Sequence, residues 1–181
     1  SKNCTWIDRT TSGHTLEDLS KLPKENEISE KDILIILTGG NNVFEKNISF
    51  TPKCIHLTKC NPVKQETLIK LYEGLKERLV TLKCKKYIIT NPLRHLHCCE
   101  KHQGFYFKNI LVSQRKANEC LSSVLQETAT ILRYDKVFKI SCKVKRNSHK
   151  YALLMEDTVH FKITQYYKAA EFLKNLCEAE K

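Results

Sequence analysis

At 181 residues, 41% hydrophobic and 28% charged, the chain has the size and composition of one globular domain, which excludes a disordered polymer. No run approaches the roughly 18 uninterrupted apolar residues of a transmembrane helix. Thirty-one basic against 20 acidic residues give a formal charge of +11, which attracts polyanions or acidic surfaces unless the lysines only solvate one face.

In chain order, "NCTWID" (Asn3 to Asp8) reads as a short strand, and "SGHTLEDLSKLP" as a turn feeding a helix that Pro23 ends. "ILIIL" (Ile33 to Leu37) is short, continuous and β-rich, as a strand covered on both faces should be. "VFEKNISFTPKCIHLTKCNP" is a long loop or edge hairpin. Pro62 to Cys84 is the clearest helix, with Leu68, Leu71, Leu75, Leu79 and Leu82 on one face and Pro62 in its first turn. "KKYIITNP" (Lys85 to Pro92) is a second strand and "LRHLHCCEKHQGFYF" is irregular. Val112 to Leu132 is an amphipathic helix, and the alternating "KVFKISCKV" (Lys136 to Val144) a third strand. "KRNSHKY" is a loop. The chain closes on a helix that buries Tyr166, Ala169, Ala170, Leu173 and Cys177. Alternating strands and helices predict one α/β domain over residues 1–181, its mostly parallel sheet covered on both faces.

The 9 cysteines are an odd number in a chain large enough to have its own core, which predicts an intracellular, reducing compartment with free thiols. Cys4, Cys84, Cys120, Cys142 and Cys177 sit among apolar neighbours and read as core fillers. "CIHLTKC" and "HLHCCEKH" gather soft ligands in two loops. Cys54, Cys60, Cys99 and His102 have the chemistry for zinc, or are reduced thiols and a solvated imidazole. The chain opens on "SKNCTWI" with neither a methionine nor a secretory signal, so further sequence is expected upstream.

Open parallel sheets bind ligands at the carboxyl ends of their strands. Three polar clusters fall near predicted strand ends: "TSGHT", "TGGNN" and "MEDTVHF". Gly13 precedes a helix and can aim its N–H at a developing oxyanion, or it is only a turn. Gly39 and Gly40 allow close backbone approach, and Asn41 or Asn42 can donate a side-chain N–H, or the four form a plain loop. Asp157 and His160 are spaced for an acid that orients a general base, or Asp157 is only the cap of the last helix.

Together, the order and spacing of "GHTLEDL", "ILIILTGGNNV" and "LMEDTVHFKITQYYKAAEFL" resemble the SGNH (GDSL-type) hydrolase superfamily over roughly Cys4 to Leu176. The resemblance implies a three-layer α/β/α sandwich and esterase or deacetylase chemistry on an acyl-ester small molecule or modified polymer, without a cofactor. It implies Gly13 and Asn41 as the oxyanion hole, His160 as base and Asp157 as its orienter. The family's opening strand ending in Gly-Asp-Ser is absent. Asn42 stands for the family's Asp and Tyr166 for a glycine common after the closing His. No nucleophilic serine is assignable, so either the first strand lies upstream or the domain is a pseudo-enzyme. The alternative is a non-catalytic binding domain for nucleic acid or an acidic protein partner, with Phe105, Tyr106 and Phe107 near Lys101 and Lys108 to stack bases. Domains of this superfamily also occur in retrotransposon proteins, which would place a basic hydrolase near RNA.

Overall fold

The structure, a computed structural model, describes residues 5–10, 15–43, 48–51, 54–57, 62–94, 103–156 and 160–180. Its sheet has three parallel strands, β1 (Ile33–Ile36), β4 (Lys85–Ile89) and β5 (Thr130–Leu132), in the order β1-β4-β5. A separate antiparallel pair, β2 (Ile48–Thr51) and β3 (Cys54–Leu57), gives the predicted loop or hairpin a definite form. The fold is therefore α/β with an open parallel sheet. No helix among the described residues is long and apolar enough to cross a membrane.

The strands have the β-branched, nearly continuous apolar sequence that parallel pairing under helices favours. Successive strand residues go to different hydrophobic clusters. Leu34, Ile36, Ile88 and Ile131 join the leucines of α1 (Gln65–Val80) and the buried face of α2 (Gln103–Leu125). Ile35, Ile89 and Leu132 join a cluster built by α3 (Tyr134–Val137), α5 (Ser148–Ala152) and α6 (Ile163–Ala179). In α1 the leucine stripe does what its period requires: Leu68, Leu75, Leu79 and the following Leu82 are buried, with Tyr72 fully buried among them.

Several sequence expectations fail. Thr5 to Asp8 form no strand, and Trp6 and Ile7 are exposed. Residues 15–22 form turns where a helix was expected. Pro62 lies outside α1. The predicted second helix is displaced: α2 starts at Gln103 and ends at Leu125, and Thr130 to Leu132 become the third strand. Lys136 to Val144 is not a strand but two short helices with a turn between them. It contains the end of α3 and most of α4 (Cys142–Lys145), because Lys139 turns with φ 53° and the Ser141 hydroxyl caps α4 by accepting from Val144 N–H at 3.3 Å. The loop predicted after it contains α5, capped by Asn147, whose Oδ1 accepts from Lys150 N–H at 3.0 Å. Cys84, Cys120 and Cys177 are buried free thiols as expected, but Cys142 is exposed. Tyr166 and Ala170 lie on the outer side of α6.

A buried carboxylate with two cations on it fixes the α3–α4 corner. Asp135 accepts from Arg133 Nε at 3.0 Å, from Arg133 Nη2 at 2.6 Å and from Lys145 Nζ at 2.7 Å. Burial alone would raise this carboxyl, but the two cations outweigh it and hold it down to about 2, against an ordinary 3.8. A depressed carboxyl stabilises the fold above its ordinary value, and that contribution is lost as pH falls toward 2. Asp135→Asn is expected to cost about 2 kcal/mol at pH 7 and to flatten the acid limb of stability between about pH 5 and 2. Urea titrations of both proteins across that window check this; parallel acid limbs would refute it.

Candidate active site

The carboxyl rim of the sheet is assembled from the segments that follow β1 and β4. After β1, Gly39 has φ +90°, a left-handed conformation that L side chains rarely adopt, and a Cβ there would sit 3.2 Å from both Leu16 Cδ1 and the Tyr72 hydroxyl. A short 3-10 turn, Gly40–Asn42, follows. The two asparagines of that turn have different roles. Asn42 is buried: its Oδ1 accepts from Leu16 N–H at 2.9 Å and its Nδ2 donates to Glu17 at 2.7 Å. Asn41 is half-buried, and its Oδ1 accepts from Arg94 Nη2 at 2.5 Å.

Arg94 reaches that turn from the segment after β4. Asn91 ends the strand with its N–H donating to Asn118 Oδ1 at 2.8 Å and its carbonyl accepting from Asn118 Nδ2 at 3.0 Å. The Asn91 amide also donates to the Tyr72 hydroxyl at 3.3 Å. Tyr151 then donates to the Leu93 carbonyl at 2.7 Å, so both neighbours of Pro92 are anchored before Arg94 crosses to the β1 turn. The guanidinium lies close over Gly40, where a Cβ would meet Nη2 at 3.2 Å. A donor-only guanidinium on Asn41 Oδ1 settles which end of that amide is which, and turns Nδ2 away from Arg94.

Gly13 and Asp157 lie outside the described residues. The segment just past Gly13 is described, and Asn42 anchors it to the rim through Leu16. His160 is exposed and sits on a different segment, just before α6. There Glu156 N–H donates to the His160 carbonyl at 2.8 Å beside an antiparallel bridge between Met155 and Phe161. That pairing brings Glu156 and His160 together. The structure thus joins Asn41 with Arg94 and Asn91 at one rim and holds His160 on a second element.

Among the described residues no group of three His, Cys, Asp or Glu side chains could hold a metal ion. The cysteine and histidine side chains of the proposed zinc loops lie outside them. Burial pushes the Cys84 and Cys120 thiols up, so neither is a ready thiolate nucleophile. A shallow concavity at the opposite, amino ends of β4 and β5, lined by Lys85, Lys86 and Thr130 among others, contains none of the candidate residues. Arg94, Asn91, Asn118 and Tyr72 are the rim residues that sequence reasoning missed. The one visible signal was Asn-Pro directly after a strand. No protein-family model matches the chain, and no curated protein matches it.

The two glycines should respond differently to alanine. Gly39→Ala forces a side chain into left-handed backbone against Tyr72, at an expected cost of about 1–3 kcal/mol. Gly40→Ala is tight only against the far end of Arg94, with Asn91 Oδ1 at an ordinary 3.6 Å, so it should cost under about 1 kcal/mol while displacing the guanidinium from Asn41. Chemical denaturation, with side-chain amide NMR of Asn41 as the local probe, separates these outcomes. A third substitution tests a buried amide of α2. Gln114 is only 2% exposed, and among the described residues neither of its amide atoms has a hydrogen-bond partner. Gln114→Met should therefore raise stability by about 1 kcal/mol, and a loss of that size would show that the amide is used.

Proposed function

We propose that the chain is most of an SGNH-like acyl hydrolase domain, lacking an assignable nucleophile among its own residues. The observation that carries this is the convergence at one carboxyl rim of two segments: the one following Gly13, held by Asn42, and the turn bearing Asn41. Parallel β1, β4 and β5 support the finer architecture, a three-layer sandwich with α1 and α2 on one face of the sheet and α3, α5 and α6 on the other.

In this mechanism a serine oxygen attacks the acyl carbonyl while His160 takes its proton, with Asp157 orienting the imidazole. The oxyanion is held by the Gly13 N–H and Asn41 Nδ2. As it collapses the ester C–O bond breaks and His160 gives its proton to the departing alcohol. Water then hydrolyses the acyl-serine through the same groups, releasing the carboxylic acid and restoring the serine hydroxyl. Among the described residues, β1 pairs only with β4. A further parallel strand on its other edge, ending in Gly-Asp-Ser, would complete the sheet and carry the serine to the same rim as Asn41.

The chain alone is expected to hydrolyse 4-nitrophenyl acetate no faster than buffer. The same chain extended by such a strand should gain about 100-fold or more in turnover, and His160→Ala should remove the gain. A folded extended protein without that gain would sink the reading. Turnover by the unextended chain that His160→Ala abolishes would refute its inactivity and place a nucleophile among these residues.

A further inference from the structure

The charge of this protein is concentrated. Residues 133–150 carry Arg133, Lys136, Lys139, Lys143, Lys145, Arg146 and Lys150 against one acidic residue, Asp135, so about a tenth of the chain supplies +6 of the net +11. Part of that charge is already paired with carboxylates. Arg133 and Lys145 are taken by Asp135, and Lys139 pairs with Glu171 of α6 at 2.5 Å. Lys136, Lys143, Arg146 and Lys150 are exposed and, among the described residues, make no ion pair or side-chain hydrogen bond.

The backbone turns these four away from the core. Val137, Phe138, Ile140 and Tyr151 turn into the core, which sends the intervening cations outward. Lys143 and Arg146 are three apart across α4 and its cap, a spacing that puts neighbouring Cβ atoms about 5–6 Å apart. Like charges this close repel, and a bound polyanion removes that cost. Exposed aromatic rings lie on α6, which packs against α3, the helix that carries Lys136. Tyr166 is 41% exposed and stands edge-on at 6.0 Å to Phe138, whose neighbour in the chain is Lys139. Tyr167 is 69% exposed, and Lys162 and Lys168 are exposed on either side of the pair.

Cations alone would fit any polyanion; cations beside open tyrosine faces fit phosphates and unstacked bases together. The helices of the stretch have four or five residues each, too short to lie in a membrane interface as amphipathic helices. We propose that the outer face of residues 133–150, with Tyr166 and Tyr167 beside it, binds single-stranded nucleic acid. This does not depend on the acyl-hydrolase reading.

The test is fluorescence anisotropy with a labelled oligo-dT of about twenty nucleotides, titrated across salt. Four phosphate contacts predict a slope of log affinity on log salt near about −3. The triple variant Lys143→Glu, Arg146→Glu, Lys150→Glu should weaken binding at least about tenfold and lower the slope by about 2. A control triple, Lys21→Glu, Lys70→Glu, Lys83→Glu, makes the same charge change elsewhere and should have a much smaller effect. Tyr167→Ala should weaken oligonucleotide binding and leave heparin binding unchanged. Circular dichroism of each variant verifies folding. Equal losses in the two triples, no oligonucleotide binding, or tighter binding to phosphatidylserine vesicles than to oligonucleotide would each overturn the proposal.

Discussion

The end of the central strand is the constraint on which the rim depends. β4 pairs on both sides, so the place where it stops determines where the sheet opens. Thr90 still donates to the Leu132 carbonyl at 2.8 Å, one step past the ladder. At Asn91 both backbone groups leave the sheet in a buried position, where an unpaired N–H or C=O would cost about 1–3 kcal/mol. Asn118 supplies both missing partners from α2, and Tyr72 takes the Asn91 side chain from α1. One side-chain clamp therefore terminates the strand, ties it to the two helices that cover it, and sets the direction in which Arg94 leaves.

The turn after β1 is built around the same tyrosine. Tyr72 occupies the space that a side chain at residue 39 would need, while burial pushes its own hydroxyl up to about 12 and keeps it a neutral hydrogen-bonding group. Asn42 is saturated by backbone and carboxylate partners and is structural. Asn41 is half-exposed at the rim and oriented by a cation. On the proposed mechanism this division matters, because an amide that must donate to an oxyanion needs its oxygen held elsewhere. Arg94 does that holding, and its positive charge favours nearby negative charge as it develops.

The sequence made the strongly periodic parts legible. The leucine stripe of α1 and the β-branched run of β1 each match one period without competition, and both form as expected. Lys136 to Val144 shows why the same logic fails elsewhere. Alternation in "KVFKISCKV" has the period of a strand, but Asp135 is already fastened to Arg133 and Lys145, which curls the chain. Tertiary ion pairing and two caps outweigh a nine-residue pattern. The third strand was hidden in "TATIL", where apolar spacing continued from α2 although the helix turns off at Leu125. At the site, Asn41 was readable as a residue type in a turn. Arg94 was not, because its contact with Asn41 spans 53 residues and depends on where β4 ends.

The polar groups of this fold divide by whether the fold itself uses them. Asp135 is the one acid in the most basic stretch, and it is consumed internally, at the α3–α4 corner. Using it there stabilises the corner and leaves the outer surface of that stretch with no negative side chain. The open edge of β1 follows the same pattern in backbone form. Ile33, Leu34 and Ile35 are half-buried on a strand that pairs, among the described residues, on one side only. A short apolar strand with an unpaired edge is a template for another strand. On the acyl-hydrolase reading, the absent nucleophile and the unpaired edge have one cause, because a single added strand would supply both a hydrogen-bonding partner for β1 and a serine facing Asn41. The cationic face needs no such completion: its unmatched charges are side chains already presented to solvent.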